Sequence, residues 1–473
     1  LKGAAATALY GSEAKSGVII ITSKKAKAGE SYISVYHNTV ISNISRLHPY
    51  QNEYGGGYSQ TMGTFTYDPA TDPASWAAFN GQNIPYYAAD ESWGPALDGR
   101  QARHWDSWIP GLPEYGQTRG WSPNPNNIKN FFETGMMSST SLSFAKGGED
   151  FSFRTTARAT NGTLPVPNAG RDTYDVNINT SLNATDKLTV YASLNAKIQA
   201  TDNYVSSGYG SLQSNFSQWW QRQLDMDRLR DNYHVNGVFY TWNRRSARNG
   251  RPQYWDAPHY EQYQNTNNNK NSTYSGNFGL NYDIMDGLSA NVEVKRRAYN
   301  QNSWGRGYIG PNTLSQQASF SEGSYFSESN EFAARLNYDT KITSNFDVSA
   351  ILGYGTGQNI SSSTNASTSG GLAIPDFYIL SNSVDKPNYS TSKSSNKRVS
   401  AYGLVSLGYD SMLYLDGSYR LDWGSTAAAD ANRIETFSLS GSFIWNKLLD
   451  VDGITFGKFR AGYSEAPIFP GTY

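Results

Sequence analysis

The chain has 473 residues, no cysteine and a formal net charge of −1. The lack of cysteine excludes disulfides and thiol chemistry, and the balanced charge gives no footprint for nucleic acid. Mean hydropathy is −0.60, and no apolar run reaches the ~18 residues of a transmembrane helix. A transmembrane β-barrel stays open, because its strands alternate apolar and polar residues and average out as hydrophilic. The 34 tyrosines and 12 tryptophans suit the two interfaces of such a barrel. They suit equally the binding loops of a soluble, β-rich glycan-binding sandwich.

In chain order, residues 1–25 come first. A run of small residues (2–8) is followed by a β-branched run, Val18, Ile19, Ile20, Ile21 and Thr22, apolar on both faces and of strand length. Lys24, Lys25 and Lys27 end it. Beyond it, thirteen strands are predicted: 31–43, 137–146, 149–160, 172–184, 187–200, 271–284, 287–300, 325–339, 342–354, 395–409, 411–423, 433–446 and 455–463. Their period is two. Tyr274, Phe278, Leu280, Tyr282 and Ile284 share one face, against Thr273, Ser275, Asn277, Asn281 and Asp283. Leu413, Leu415, Tyr419, Leu421 and Trp423 likewise oppose Asp416, Ser418, Arg420 and Asp422. These segments are about as long as, or longer than, the ~9–11 residues with which a tilted strand crosses a bilayer.

The links alternate in length. Short ones fall at Gly147-Gly148, Thr185-Asp186, Met285-Asp286, Lys341 and Asp410; long ones at 44–136, 161–171, 201–270, 301–324, 355–394 and 424–432. Only 447–454 breaks the trend. Barrels of the outer membrane have short periplasmic turns and longer outer loops. Thirteen is an odd count, whereas single-chain bacterial barrels close with even numbers. An open edge in lipid is energetically forbidden. The chain also starts at Leu1 without a methionine, so it is expected to be part of a longer barrel.

No nucleotide-binding, zinc-protease or nucleophile-elbow motif occurs, and no catalytic residue, metal site or cofactor is expected. The five histidines are scattered. Asp450 with Asp452, and Asp225 with Asp227, are carboxylate pairs that read as turns or helix starts, with calcium ligation as the lesser alternative. Carboxylates Glu293, Asp416 and Asp422 fall on the polar face. Trp93, Trp105, Trp108, Trp219, Trp220, Trp242, Trp255 and Trp304, together with Trp121, lie in predicted outer loops. They are the candidate ligand- or partner-binding residues; packing in a loop core is the other reading. A helix is expected near 211–232, with Phe216, Trp219, Trp220 and Leu224 at helical spacing. Arg244, Arg245, Arg248 and Arg251 read as solvated charge or as an anion site.

Two stretches carry a family resemblance. Ala4-Ala5-Ala6-Thr7-Ala8-Leu9-Tyr10-Gly11-Ser12 and Gly17-Val18-Ile19-Ile20-Ile21-Thr22 closely resemble the end of the plug domain in SusC-like (SusC/RagA) TonB-dependent outer-membrane transporters. Glu13 and Lys15 depart only in a variable part. Asn126-Asn127-Ile128-Lys129-Asn130-Phe131-Phe132-Glu133-Thr134-Gly135 resembles the family's segment before the second strand. Asp416-Gly417-Ser418-Tyr419-Arg420 resembles a barrel strand, with Tyr419 and Leu421 departing.

The resemblance implies an all-β fold: a transmembrane antiparallel β-barrel of about 22 strands when complete, with residues 1–28 as the end of the plug and 29–473 as partial barrel. It further implies a non-enzymatic importer in the outer membrane of a Gram-negative, Bacteroidota-like cell, surrounded by outer-membrane lipid. The cargo would be a glycan or peptide. The partners would be a SusD-like surface lipoprotein and the TonB complex, the latter reached through an N-terminal segment that this sequence lacks. A related barrel serving export or assembly, and the soluble glycan-binding protein, are the alternatives.

Overall fold

Alternating residues make strands with one apolar and one polar face, and here these strands pair into one continuous sheet. The computed structural model describes Ala14, Val18, Ile19, Lys24, residues 26–449 and residues 453–470. Most of the plug-like strand at 18–22 and of 1–28, and Asp450 and Asp452, therefore lie outside the described residues. The sheet has thirteen strands. They are β1 (Ser31–Ser42), β2 (Gly135–Gly147), β3 (Phe151–Thr163), β4 (Gly170–Thr185) and β5 (Leu188–Asp202). Next come β6 (Thr266–Met285), β7 (Leu288–Gly307), β8 (Ser319–Thr343) and β9 (Phe346–Leu372). Last are β10 (Ser383–Tyr409), β11 (Leu413–Gly424), β12 (Arg433–Ile444) and β13 (Lys458–Glu465). Each pairs antiparallel with its successor, so the topology is an uninterrupted meander.

The apolar side chains point away from the polar ones and stay uncovered. Ile33 is 71%, Leu352 63% and Leu439 56% exposed. Among the described residues no second sheet packs on this face, which removes the sandwich reading; in a barrel it is the lipid-facing side. The opposite face is polar, and its carboxylates Glu293, Asp416 and Asp422 are partnered. Glu293 accepts from Asn277 at 2.8 Å and pairs with Lys295 at 3.0 Å. Asp416 accepts from Ser406 and Ser440. Asp422 pairs with buried Arg420 at 2.7 Å. The Arg420 guanidinium sits 5.0 Å from the Tyr402 ring centroid, and the Tyr402 hydroxyl accepts from Arg335 at 3.2 Å. The Tyr402 ring lies across Gly353, where a Cβ would come within 2.2 Å of it. A glycine is thus required for this close approach.

The largest corrections to the strand boundaries are extensions, while 433–446 ends earlier, at Ile444, and 455–463 shifts to Lys458–Glu465. β9 and β10 each run 27 residues, roughly 90 Å at about 3.3 Å per residue, against a hydrocarbon core of about 30 Å. The predicted loop 355–394 shrinks to 373–382, and 301–324 to 308–318. The reason is compositional. Ser361, Ser362, Ser363 and Thr364 pair with Ser394, Lys393, Ser392 and Thr391; both faces are polar, so alternation disappears while backbone pairing continues. The turn expected at Lys341 lies instead at Ser344 and Asn345, after a register shift between Lys341 and Thr343.

These faces make a direct prediction. Leu352→Arg, on the apolar face, should lower folding stability in lipid vesicles by about 2–4 kcal/mol near the bilayer midplane. Ser349→Arg, on the polar face of the same strand, should cost far less. Urea titration of vesicle-inserted protein measures both, and equal losses would contradict the assigned faces.

Candidate functional site

The tight turns lie at one end of the sheet, and the long links 43–134 and 203–265 lie together at the other. These two links are not independent loops, because they share a core. Trp105, Ile109, Ile128 and Phe131 of the first pack with Phe216, Trp220, Leu224, Met226, Leu229 and Trp242 of the second. Phe65, Phe79, Tyr87 and Trp108 form a neighbouring cluster with Ala247. Burying each large apolar side chain contributes on the order of 1.5–3 kcal/mol, enough in sum to order segments with little regular structure.

The single helix expected at 211–232 is two short ones, α1 (Leu212–Gln218) and α2 (Met226–Asn232). Ser211 caps the first, and Asp225 the second by accepting from the backbone of Asp227 and Arg228. Asp225 and Asp227 are thus a helix start, and Asp227 pairs with Arg230 at 2.8 Å. The break between the helices is what joins the two links. Buried Arg222 donates to Asn127 Oδ1 at 2.7 Å, Pro125 O at 2.9 Å and Gln51 O at 3.1 Å. Gln221 donates to Ala89 O at 2.7 Å, and Gln223 accepts from Gly56 N at 2.8 Å. A continuous helix would aim these three consecutive side chains in different directions.

The candidate tryptophans divide. Trp105, Trp108, Trp220 and Trp242 are buried, as is Trp121, and their faces are taken up by neighbouring rings: Trp220 lies 5.3 Å from Trp242, and Trp108 5.1 Å from Phe65. Trp219 and Trp255 are half-buried. Trp93 is 66% exposed. Trp304 lies not in a loop but in β7 (Leu288–Gly307), paired with Asn268 and Glu322. The arginines are structural ties rather than a free cationic cluster. Arg244 is buried and donates to Trp105 O and Ala247 O. Arg248 pairs with Asp72 at 2.6 Å, Arg245 donates to Pro252 O at 3.2 Å, and Arg251 bonds Gln316.

Around Trp93 the structure gathers residues that sequence reasoning missed. Residues 55–57 run beside 91–95: Gly57 N donates to Glu91 O at 3.0 Å and Trp93 N to Gly57 O at 3.1 Å. A Cβ on Gly94 would come within 2.1 Å of Gly56 O, so only glycine allows this approach. It sets Tyr58 against Tyr86, ring centroids 5.6 Å apart, both exposed beside exposed Tyr254. Asp90 accepts from Trp255 Nε1 at 2.7 Å and from the Tyr58 hydroxyl at 3.4 Å. Burial and a hydrogen bond with Asp90 push the Glu91 carboxyl up, and burial with the Glu91 and Asp90 charges pushes the Tyr58 phenol up. Exposed rings beside acceptor carboxylates can hold a cationic group over a ring face or take hydroxyl donors. The Gly55-Gly56-Gly57 run and the adjacent Asp90-Glu91 pair were the available signals, but nothing local joins them to Tyr254.

The third link is fastened to the same unit. Helix α3 (Pro258–Gln264) places Tyr260 to donate to Tyr308 O at 2.5 Å. Both carboxylate oxygens of Asp256 accept from Leu314 N at 3.1 Å.

No protein-family model matches the chain, and no curated protein does. Solved structures do. The RagAB peptide importer in its "open-open" state aligns with a TM-score of 0.71 at 20% identity, over 98% of this chain and 50% of that chain. Its "closed-closed" state gives 0.69 at 18%, over 98% and 50%. The RagAB peptide transporter gives 0.69 at 18%, over 97% and 50%. The chain thus spans about half the length of the solved chains that it matches. The likeness is one of fold, that of a transmembrane β-barrel, of which these thirteen strands are a part.

Asp256 gives a pH prediction. Burial, reinforced by the Glu261 charge, raises its carboxyl from 3.8 to about 7. The folded loops therefore hold a proton that the unfolded chain releases. The stabilisation is full below the ordinary value and is lost as pH rises through about 7. Exchange at the Leu314 amide, corrected for its intrinsic rate, should quicken from pH 5 to 8, and Asp256→Asn should flatten the profile. A flat profile in the unaltered protein would contradict the assignment.

Proposed function

We infer that this chain, built on the barrel fold of the SusC-like TonB-dependent transporters, belongs to an outer-membrane importer of oligopeptides. The observation that carries the reading is the fold match over 97–98% of the chain to structures described as a peptide importer. The residues quoted from the N-terminal stretch support it, since they resemble a plug. A SusD-like lipoprotein capturing cargo at the loop face, and a TonB complex acting on the plug, follow from the same reading. The work is selective binding and conformational opening rather than covalent chemistry.

Cargo would meet the loop surface first. Tyr58, Tyr86, Glu91 and Trp93, with buried Asp90 behind them, are suited to an amine or guanidinium group of a peptide, with the acidic pair supplying negative charge and rings as platforms. Of the tryptophan candidates in the loops, Trp93 is the one whose exposure supports direct contact; Trp304 is exposed as well, but on strand β7. The buried ones support the surface from beneath. An oligosaccharide is the second reading, supported by the exposed Tyr58 and Tyr86 rings, which can stack on sugars.

The test is isolation of the full-length protein from outer membranes in mild detergent, with mass spectrometry of everything retained. The expected result is a SusD-like lipoprotein in stoichiometric amount with bound peptides. Secretion or assembly components in its place would overturn import, and bound glycans would select the second reading. Asp90→Asn with Glu91→Gln should weaken retention of lysine- or arginine-rich peptides about tenfold, equivalent to about 1.4 kcal/mol. Unchanged retention would remove these carboxylates from the site.

A further inference from the structure

The outward face carries a groove of about 790 Å³ that nothing in the import reading uses. Its floor is one register row running across five strand pairings: Leu194, Gly276, Arg296, Asn330, Gln358 and Lys397. On one side the next row supplies Phe278, Val294 and Phe332, all among the exposed apolar side chains. Gly276 leaves a gap in the row where a side chain would otherwise stand. The groove is therefore apolar toward the tight turns and cationic toward the loops.

Its position along the strands is informative. From Leu288, where β7 leaves its turn, the outward residues are Leu288, Ala290, Val292 and Val294, and then Arg296. Those nine positions are about the nine to eleven that a tilted strand needs to cross hydrocarbon. In β10 the apolar series Tyr409, Leu407, Val405, Ala401 and Val399 gives way to Lys397 at the same level. The two cations thus mark one boundary of the lipid-facing band. Glu328 binds one Arg296 nitrogen at 2.8 Å and holds the guanidinium over the row. The Arg296 side chain remains 68% exposed, with further N–H donors to offer. Lys397 is exposed, and among the described residues it has no ionic partner. Three strand spacings separate the two cations, about 14 Å at ~4.8 Å each.

We propose that this groove binds a membrane lipid whose headgroup carries two phosphates, with Arg296 and Lys397 each taking one and an acyl chain lying along Phe278, Val294 and Phe332. Charge complementarity selects an anionic headgroup. Arginine suits phosphate through paired N–H donors, and lysine as a point charge. Continuity with the lipid-facing band selects a lipid over a soluble anion. The proposal rests on the barrel fold and is independent of what the barrel imports.

The test uses full-length protein in detergent and native mass spectrometry. The probes are a synthetic disaccharide lipid bearing two phosphates, its dephosphorylated analogue and inorganic phosphate. The diphosphorylated lipid should be retained, and Arg296→Gln with Lys397→Gln should lower its retention about tenfold or more. Lys397→Gln alone, a change at an exposed side chain, should lower it by a smaller factor. Lys187→Gln, at a tight turn, should leave it unchanged. Heat-modifiable mobility on gels verifies that each variant is a folded barrel. Undiminished retention by the double variant, equal retention of the dephosphorylated analogue, or displacement by equimolar inorganic phosphate would each overturn the proposal.

Discussion

Backbone pairing in a medium without water governs this molecule. An unpaired N–H or C=O in hydrocarbon costs several kcal/mol, so a chain that crosses a bilayer as strands has to pair every strand with its neighbours. The meander of thirteen strands does this with few register shifts. Once pairing is set, the two-residue period decides the rest. Ile33, Leu352 and Leu439 face outward, while Glu293, Arg420 and Asp422 face inward and satisfy one another or their neighbours. These three inward charges are tolerable because each has a partner, and the tight packing of Tyr402 over Gly353 leaves little freedom around the Arg420–Asp422 pair.

The sheet also explains where specificity can reside. Strands alone present repetitive surfaces. The links 43–134 and 203–265 add a second layer of organisation with its own hydrophobic core, and Arg222 ties them through donors shared among four backbone or side-chain oxygens. The Tyr58, Asp90, Glu91 and Trp93 surface is therefore preorganised. Its residues come from one link and Tyr254 from the other, and the shared core holds both in register. The outward groove at Arg296 and Lys397 belongs to the sheet instead, and uses register rows rather than loop packing.

How much of this could be read from residues varies with the physics that each segment obeys. Strands at 271–284 and 411–423 were legible because lipid and lumen impose opposite polarity on successive residues. Ser361, Ser362 and Ser363 were not, because a strand with polar residues on both faces looks like a loop; only the partner strand reveals it. Trp105 and Trp242 carry the same composition signal whether they bind or pack, and burial, which decides between the two, depends on contacts more than a hundred residues away. Arg244 and Arg248 read as solvated charge or an anion site and are ties. The plug resemblance at 4–12 and 17–22 is specific as sequence but falls largely on residues that the structure does not describe.

The shared core of the two links has a consequence for assembly. Residues 43–134 emerge from the ribosome before strands β2–β5, and residues 203–265 after them. Neither half holds a complete core, since Trp105 and Phe131 wait for Trp220 and Trp242. The first link can gather Phe65, Phe79, Tyr87 and Trp108 by itself, but Trp105, Ile128 and Phe131 lack their partners until the intervening strands have been delivered and the second link arrives. The platform is thus a late, long-range event on the folding path, and the interval before the second link arrives is when this chain most needs protection from aggregation.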